Sequence, residues 1–531
     1  MGLAPVNAWP LAWVAMVPLW VLAYVAIDQQ LRLRKSLMLA AIWGVGYHGT
    51  ALWWITGIHP MTWTGVSWLG SIAIALFSWA FITLWGAAIG MTWLALLAAI
   101  SHYLSGRAPS NHVQSLSPWL KVLIGTAIWC AVEWVWSKGP LYWTSLSYTQ
   151  SPSNLWILQL GQLSGPITIT ASLVVANGLL SMCLLTWLRN SHGQGTRSIE
   201  AHDSKKQKQT HKVWIYPIAL FALVHLVGLG LYGRSLPEDP QRSLSVGLIQ
   251  GNIPTAEKLS ATGIKASRKV YLDGYRTLAD QGVDLVITPE GAIPQPWNAF
   301  LQDRNPFQRA VEQKGVPLVL GTFAHQDIND NQTPLTQSLL TLAPKEDLAP
   351  TEGIAGRYNK VKLVPLGEYM PLENILGEIV GQLSPFGSSM VPGSFDQRLE
   401  TPLGPMAAGI CYESAFTSLF RQQVSNGGEV IFTASNNDPY SSHQMMQHHA
   451  QDVMRAVETD RWAVRVTNTG ISGLVTPKGQ TLWRSEPNDY TTYIAEVYRR
   501  RSRTLYVRFG DWLTPFLLIS SALMIGRRRL G

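Results

Sequence analysis

The stretch Pro405-Met-Ala-Ala-Gly-Ile-Cys-Tyr-Glu-Ser414 joins a short apolar run to a cysteine. Its small and apolar residues predict a buried strand over 406–410, and the sequence from Glu413 to Arg421 predicts a helix directly after it. Cys411 would then lie at a strand-to-helix turn, where helix amides favour the thiolate and prepare the sulfur as a nucleophile. The alternative is a core cysteine that packs as a small hydrophobic residue.

The composition of the 531-residue chain indicates a membrane protein. Charged residues make up 14% of the sequence, against about 25% in ordinary soluble proteins. The 23 tryptophans suit aromatic belts at the lipid–water boundary. The net charge is +8, but the basic residues cluster between apolar stretches, which favours membrane topology over nucleic-acid binding. Only Cys411 of the three cysteines lies outside an apolar stretch, which excludes a disulfide framework and a cysteine-based zinc site.

Seven apolar stretches approach the length that crosses a bilayer core, about 20 helical residues. They are predicted at 8–27, 36–57, 66–98, 118–137, 165–188, 213–233 and 511–526. The third stretch is longer than one crossing requires, which indicates either a tilted helix kinked near Gly86 and Gly90 or a re-entrant segment. We expect no cleavable signal peptide, because the first residues lack a basic region.

Basic residues follow alternate spans and are nearly absent from the connections between them. They are Arg32, Arg34, Lys35, Arg107, Arg189, Arg197, Lys205, Lys206, Lys208, Lys212, Arg527, Arg528 and Arg529. Because basic loops stay in the cytoplasm, the N-terminus and residues 234–510 are predicted on the outer face. We therefore predict a membrane domain over 1–233, an extracytoplasmic catalytic domain over 234–510, and a C-terminal transmembrane helix with a basic tail over 511–531.

Glu133 is an ionisable residue inside a predicted span, which makes it a functional candidate. It lies near the outer end of its helix, so an interfacial, water-facing side chain is an equal alternative. The aromatic stretch 138–148 that follows is expected to lie at the level of the lipid headgroups.

Residues 234–510 alternate between strand and helix patterns. Continuous apolar runs predict buried strands at 244–251, 284–288, 316–322, 338–342, 407–411, 430–433 and 464–467. Helical patterns occur at 265–281, 296–314, 412–425 and 442–460. The predicted class is α/β or α+β with a central layered sheet.

Three strand ends in this domain carry acid–base or nucleophilic side chains. Glu290 follows a buried strand, where a carboxylate can serve as a general base, although a satisfied loop glutamate is an equal alternative. Lys360, Lys362 and Glu368 share a charged hairpin, which is more often a solvated face, and we assign Lys362 to that face. The third strand end carries Cys411. The chain therefore offers a carboxylic acid, an amine and a thiol, in that order along the sequence.

This combination resembles the Glu–Lys–Cys triad of the carbon–nitrogen hydrolase (nitrilase) superfamily. The matching stretches are Pro289-Glu290, Tyr358-Asn-Lys360, Gly367-Glu368, Ile410-Cys-Tyr-Glu413, Gln250-Gly-Asn-Ile-Pro254, Arg455-Ala-Val-Glu458 and Thr467-Asn-Thr-Gly470. Such a domain between several apolar spans and one C-terminal span resembles the apolipoprotein N-acyltransferase family. The likeness covers nearly the whole chain.

The resemblance implies a multi-span α-helical membrane domain joined to an αββα sandwich, closed by a C-terminal transmembrane helix. It implies that Cys411 is the nucleophile, that Glu290 is the general base, and that Lys360 stabilises the oxyanion. Glu368 would hold Lys360, and Tyr412 and Glu413 would support the nucleophile. No metal or other cofactor is implied.

The chain departs from the family's pattern in three places. The family commonly begins with one more apolar span, so either this chain has seven or its start is assigned downstream of the true one. Leu259 stands where many members carry Trp. In Ser435-Asn-Asn-Asp-Pro-Tyr440, Asn437 replaces Asp, Pro439 replaces Trp and Tyr440 replaces Phe. Leu259, Pro439 and Tyr440 are therefore candidates for the substrate channel.

The helix predicted at 442–460 carries a group of metal-ligand side chains. They are His443, His448, His449 and Asp452. The i, i+4 spacing of His448 and Asp452 is compatible with a metal site, but the nucleophile chemistry needs no metal, and we do not expect one. Arg455 and Glu458, three apart, predict a structural ion pair.

The resemblance implies transfer of a phospholipid sn-1 acyl chain, from phosphatidylethanolamine, through a Cys411 thioester to the N-terminal amine of a diacylglyceryl-cysteine prolipoprotein. The implied location is the bacterial inner membrane, with the catalytic domain on the periplasmic face. One alternative is a membrane-tethered amidase or nitrilase that hydrolyses small amides, which leaves the apolar spans unexplained. The other is a transporter or scaffold with an accessory soluble domain.

Overall fold

The computed structural model describes residues 2–28, 31–105, 116–192, 213–236, 238–297, 305–328, 330–344, 354–365, 367–369, 389–438 and 440–530. The chain divides into two compact units. The first comprises Met1–Trp53, Trp79–Arg234 and Asp511–Gly531, and the second comprises Trp54–Ser78 and Ser235–Gly510.

The helices outside the α/β domain follow the apolar stretches of the sequence. They are α1 (Val17–Asp28), α2 (Leu33–Ala51), α3 (Trp68–Ser105), α4 (Pro118–Trp136), α5 (Leu155–Leu158), α6 (Gly161–Ser164), α7 (Pro166–His192), α8 (Ile215–Tyr232) and, at the C-terminus, α15 (Leu513–Leu530). Short 3₁₀ segments at Trp9–Trp13, Trp53–Ile58, Thr62–Thr64 and Leu146–Gln150 connect or precede them.

Five helical segments in the described part of the chain are long and apolar enough to cross a membrane. They are Trp9–Asp28, Trp68–Leu104, Pro118–Trp136, Pro166–Ser191 and Ile215–Tyr232. Helix α2 and the C-terminal helix α15 occupy the other two predicted spans. Helix α2 is 19 residues long but includes Arg34, Lys35 and three glycines, which lower its hydropathy, and Leu513–Arg527 is a shorter apolar helix.

Helix α3 is one continuous helix of 38 residues, so the re-entrant alternative is wrong. At about 1.5 Å per residue it is about 57 Å long, nearly twice the thickness of a bilayer core. Gly86 serves helix packing, because a Cβ there would lie 2.5 Å from the ring of His48. Gly44 approaches Ala87 in the same way, as small residues do between membrane helices.

Glu133 is buried and does not face water, so the water-facing alternative is wrong. Its carboxylate accepts hydrogen bonds from Trp129 Nε1 at 3.0 Å, Ser145 Oγ at 2.5 Å and Thr170 Oγ1 at 3.2 Å. These donors come from α4, from the segment that follows α4, and from α7. Glu133 therefore holds that segment against the helices.

The α/β domain contains two mixed sheets. Their strands are β1 (Ser243–Gln250), β2 (Leu285–Ile287), β3 (Ile293–Trp297), β4 (Leu318–His325), β5 (Leu335–Leu342), β6 (Gly356–Asn359), β7 (Ala407–Ile410), β8 (Ile431–Ser435), β9 (Ala463–Thr467), β10 (Gly473–Val475), β11 (Thr481–Arg484) and β12 (Thr491–Tyr498). The first sheet has seven strands in the order β12-β1-β2-β4-β5-β6, with β3 also paired to β4, and the second has the order β11-β10-β9-β8-β7. Strands β1, β2 and β4 are parallel, as are β7, β8 and β9.

Helices cover the outer faces of both sheets. They are α9 (Thr255–Lys258), α10 (Ala261–Asp280), α11 (Pro306–Lys314), α12 (Thr417–Ser425), α13 (Ser442–Thr459) and α14 (Leu505–Phe509). Along β1, the side chains of Leu244, Val246 and Leu248 enter the core that both sheets share, whereas Ile249 packs in a second core with α10 and α11. Side chains on one face of the sheet therefore pack against the other sheet, and those on the opposite face pack against helices. This arrangement is the αββα sandwich that the resemblance implied.

The predicted strands at 244–251, 284–288, 316–322, 338–342, 407–411, 430–433 and 464–467 all occur, with shifted ends. Two helix predictions are wrong in extent. Within the pattern at 296–314, residues 296 and 297 belong to β3 and Pro306–Lys314 form a helix, and 298–304 lie outside the described residues. The pattern at 412–425 divides into a 3₁₀ turn, Cys411–Ala415, and helix α12 from Thr417.

Candidate active site

Cys411 lies at the end of β7 and is the first residue of the 3₁₀ turn Cys411–Ala415. Its φ of 51° is positive, which is costly for a residue with a side chain and is often found at functional sites. The thiol is buried, with 8% of the residue exposed. Cys411 therefore lies in a turn between a strand and a helix, as predicted, but the helix begins at Thr417 and not at Glu413.

Glu290 lies on the turn that follows β2. Thr288 anchors this turn, because its Oγ1 accepts a hydrogen bond from Gly321 N at 2.9 Å. Position 321 requires glycine, because a Cβ there would overlap the carbonyl oxygen of Pro289. The Glu290 carboxylate accepts a hydrogen bond from Asn436 N at 2.9 Å through Oε2, so the turn after β8 orients it.

Lys360 connects the two carboxylates of the predicted site. It follows β6, and its side chain is 1% exposed. Its Nζ lies 2.9 Å from Glu290 Oε1 and 2.5 Å from Glu368 Oε1. Glu368 is oriented in turn by Val364 N, which donates to Oε2 at 2.8 Å. The structure thus brings Glu290, Lys360 and Glu368 into one hydrogen-bonded cluster.

The charges of this cluster act on the Cys411 thiol. Burial raises the pKa of Cys411, and the nearby carboxylates raise it further, while Lys360 and Arg465 oppose them. Burial alone would lower the pKa of Lys360, but Glu290 and Glu368 together raise it well above its ordinary value. The resting pair is therefore a neutral thiol and an ammonium group. A thiolate stabilised by helix amides, as expected from the sequence, is not what the structure holds, so the thiol needs a base.

Glu413 accepts four hydrogen bonds in the buried space next to Cys411. Its donors are Ile410 N at 2.7 Å, Val361 N at 2.6 Å, Lys362 N at 3.0 Å and Tyr358 OH at 2.8 Å. Burial raises the pKa of Glu413 to about 7, against the opposing effect of these hydrogen bonds. The carboxylate ties the strand that carries Cys411 to the segment that carries Lys360.

Lys362 and Tyr412 lie on either side of Phe416. The Nζ of Lys362 lies 4.9 Å from the Phe416 ring centroid, and the Tyr412 ring meets Phe416 edge to face at 5.0 Å. Lys362 is half-buried, so it lies only partly on the solvated face to which the sequence assigned it. A cation held over an aromatic ring near Cys411 is a local source of positive charge.

His448 contacts the main chain of Cys411, which the sequence patterns do not reveal. Its Nε2 lies 2.6 Å from the carbonyl oxygen of Cys411, and its Nδ1 lies 3.1 Å from Asn437 Nδ2. Burial lowers the pKa of His448 to about 3, so the ring is neutral, with Nε2–H donating to Cys411 and Nδ1 accepting from Asn437. Asp452 pairs with Arg465 instead, Oδ2 to Nε at 2.6 Å.

The remaining predicted residues have separate places. Leu259 is half-buried just after α9, and Tyr440 packs against Trp54. Pro439 lies outside the described residues, and so does most of the apolar segment 369–395, which the sequence also suggests as a cover over the site. The ion pair predicted between Arg455 and Glu458 is confirmed, with Nε and Oε1 2.8 Å apart and both side chains fully buried.

Two family models match different parts of the chain. Residues 245–505 match the carbon–nitrogen hydrolase family, and residues 1–179 match the apolipoprotein N-acyltransferase N-terminal domain. The apolipoprotein N-acyltransferase of Nostoc sp. is 44% identical over 524 residues, 98% of this chain and 95% of that protein. The apolipoprotein N-acyltransferase of Synechocystis sp. is 40% identical over 98% of each chain. That of Thermosynechococcus vestitus is 40% identical over 100% of this chain and 93% of its own length. The chain therefore belongs to the apolipoprotein N-acyltransferase family, with a catalytic domain of the carbon–nitrogen hydrolase type.

Proposed function

We propose that this protein transfers an acyl chain from a phospholipid to the N-terminal amine of a diacylglyceryl-cysteine lipoprotein, with Cys411 as the carrier. The observation that carries the proposal is the contact of Lys360 with both Glu290 and Glu368, beside a buried thiol. This arrangement supplies a base, a cation and a nucleophile in one water-poor site. The apolar helices give the site access to substrates that reside in the bilayer.

In the first half-reaction Cys411 Sγ attacks the ester carbonyl carbon of the phospholipid. Because burial keeps the thiol neutral, Glu290 takes its proton as the new C–S bond forms. The tetrahedral intermediate then breaks its C–O bond, and the proton passes from Glu290 to the departing alcohol. The products are a lysophospholipid and a thioester on Cys411.

In the second half-reaction the amine of the lipoprotein attacks the thioester carbonyl carbon. Glu290 takes a proton from the amine as the C–N bond forms, and the C–S bond then breaks. The sulfur leaves with that proton as a thiol, so the enzyme returns to its resting state. The products are an amide-linked third acyl chain and free Cys411, which is a ping-pong sequence.

Lys360 stabilises the oxyanion of both tetrahedral intermediates. Its ammonium is permanently charged, since Glu290 and Glu368 raise its pKa, and it is fixed in direction by the same two carboxylates. The main-chain N–H of Tyr412 would be the second donor. Preorganised donors of this kind are worth more in a desolvated site than in water.

The chemistry of the substrates supports a reaction that takes place at the membrane. Both are lipids with long acyl chains, and phosphatidylethanolamine, donating its sn-1 chain, is our proposed donor. The alternation of basic and uncharged connections supports a catalytic domain on the periplasmic face of the inner membrane. The loop 369–395, with Met370, Leu372, Ile375, Leu376 and Phe386, is our proposed barrier to water, which would favour transfer over hydrolysis.

Intact-mass measurement tests the first half-reaction. The purified protein is incubated with phosphatidylethanolamine in detergent micelles, without an acceptor. We expect a mass increase of one acyl chain that hydroxylamine removes, and no increase in Cys411→Ala. Wild-type protein that remains unmodified under these conditions would refute the proposal.

A diacylglyceryl lipopeptide tests the second half-reaction. We expect the acylated enzyme to return to its starting mass while the lipopeptide gains one amide-linked chain. Release of free fatty acid with no change in the lipopeptide would support the membrane-tethered hydrolase. Unchanged lipoprotein acylation in cells that carry Cys411→Ala would support a transporter or scaffold.

A further inference from the structure

Lys258 is a buried amine beside the site with no role in the mechanism above. It is the last residue of α9, and 4% of the residue is exposed. Its Nζ donates a hydrogen bond to the main-chain carbonyl oxygen of Glu290 at 3.2 Å. Burying an ammonium group is costly unless nearby anions and acceptors compensate it, so its surroundings indicate what it does.

The segment that carries Lys258 is bonded to the same turn that orients the Glu290 carboxylate. Thr255 N donates to Asp438 Oδ2 at 2.7 Å, and Asn436 Nδ2 donates to Thr255 Oγ1 at 2.9 Å. Asn436 N in turn donates to Glu290 Oε2 at 2.9 Å. Glu290 is therefore held at its carboxylate by Asn436 and at its carbonyl by Lys258, and these two holders are joined to each other.

Lys258 is a second amine near the Glu290 carboxylate, besides Lys360. Glu290 and Glu368 present two carboxylates, and Lys360 is the ammonium group between them. Cys411 and Tyr440 face the same space, but burial raises the pKa of each, so both are neutral. Burial lowers the pKa of Lys258 to about 8, while Glu290 and Asp438 favour its charged form. Below that pH Lys258 supplies the second positive charge.

We propose that Lys258 is a positioning residue for Glu290: its ammonium group fixes the main chain of the base and balances the charge of its carboxylate. The inference rests on the proposed role of Glu290 as the general base. It assigns Lys258 to the reaction through Glu290, without contact with either substrate.

Single-turnover acylation of Cys411 by phosphatidylethanolamine micelles, followed by intact mass from pH 6 to 10, tests the inference. Lys258→Met should slow acylation by about tenfold to a hundredfold, the range for a displaced reacting group. Lys258→Arg, which keeps a donor and a charge at every pH, should restore most of the rate. Lys265→Met, at an exposed position of α10, is the matched control and should acylate at the wild-type rate.

The dependence of the acylation rate on pH distinguishes a positioning role that needs the charge of Lys258 from a role in packing alone. In the wild type the rate should fall as the pH rises through about 8, where Lys258 loses its proton. In Lys258→Arg this fall should move to higher pH, because a guanidinium group stays protonated there. The inference is overturned if Lys258→Met acylates at the wild-type rate. It is also overturned if the acylation rate of Lys258→Arg falls with rising pH in the same range as that of the wild type. This comparison decides the question even if Lys258→Met does not fold. Wild-type protein that forms no adduct would overturn the proposed function itself.

Discussion

The indole ring of Trp54 meets the ring of Tyr440 edge to face, with centroids 5.1 Å apart and an interplanar angle of 89°. Trp54 belongs to the compact unit that contains the α/β domain, although nearly 200 residues of sequence separate it from β1. Burial raises the pKa of Tyr440, and the nearby Glu368 carboxylate raises it further. Tyr440 therefore lies close to both Trp54 and the group of Cys411, Glu290, Lys360 and Glu368, and its place in a substrate channel stays a prediction.

If this aromatic pair forms a wall of the acyl-chain channel, the two rings should act together. We expect Trp54→Ala and Tyr440→Ala each to slow single-turnover acylation of Cys411, and the double variant to lose less than the two effects combined. Aromatic pairs are coupled by about 0.5–1.5 kcal/mol, and residues in contact depart from additivity. Trp63→Ala, at an exposed position of the same segment, is the control. Strictly additive losses would show that the contact has no part in acylation.

Lys360→Met should slow acylation by about a hundredfold to a thousandfold, as loss of an oxyanion donor does. Removal of the ammonium group also takes away the cation that both Glu290 and Glu368 contact, so the protein should be less stable as well. Single-turnover rates and the unfolding temperature measure the two effects. Lys269→Met, at an exposed position, should change neither. A rate near that of the wild type would remove Lys360 from the mechanism.

Glu413→Gln should displace the nucleophile without removing any proposed reacting group. The carboxylate accepts four hydrogen bonds. In Gln, an amide NH₂ group replaces one of the two oxygens, and this group cannot accept hydrogen bonds from the donors around it. Each buried donor left unpaired costs about 1–3 kcal/mol. We expect a lower unfolding temperature and slower acylation, whereas Glu400→Gln, at a half-exposed ion pair, should behave as the wild type. Full acylation at unchanged stability would contradict the positioning role.

His448 predicts a specific dependence of stability on pH. Burial lowers its pKa to about 3, against about 6.5 in an unfolded chain. As the pH falls below about 6.5, the unfolded state binds a proton that the folded state does not, so the free energy of unfolding falls by up to about 1.4 kcal/mol per pH unit. The loss continues until the pH reaches the folded-state pKa.

The measurement compares unfolding of the wild type with that of His448→Gln from pH 7.5 to 4. His449, with a pKa lowered to about 4 by burial, has the same sign, whereas burial raises the pKa of Glu413 and Glu458 to about 7, which has the opposite sign. The contribution of His448 is therefore obtained from the difference between the unfolding free energies of the wild type and His448→Gln at each pH. The slope should be shallower in His448→Gln and unchanged in His443→Gln, at an exposed position. Parallel curves would contradict a neutral, buried His448.

Gly321→Ala should inactivate the enzyme through Glu290. A Cβ at position 321 would overlap the carbonyl oxygen of Pro289, so the turn that carries the base has to move. Overpacking of this kind costs about 1–3 kcal/mol, and we expect loss of acylation with only partial loss of stability. Gly46→Ala, where nothing lies within 4 Å of the added Cβ, is the control. Normal acylation in Gly321→Ala would mean that the turn adjusts without moving Glu290.

The sequence by itself determined the membrane character, the positions of seven buried strands along the chain, and the strand ends near Glu290 and Cys411. These features are local: an apolar run specifies burial of its own backbone, and the residue after the run lies at the sheet edge. Strands β3, β6, β10, β11 and β12 were not predicted because they are short or half-exposed, and pairing with a neighbour, not their own pattern, makes them strands.

Only the tertiary structure decided which groups meet in the site and which of them are charged. It placed Lys258 against the carbonyl of Glu290, His448 against the carbonyl of Cys411, and Glu413 between two segments about 50 residues apart. It also made Cys411 a neutral thiol, because burial outweighs the nearby cation. Desolvation and hydrogen bonds between distant segments depend on which groups meet in space, and a pattern along the chain does not contain that information.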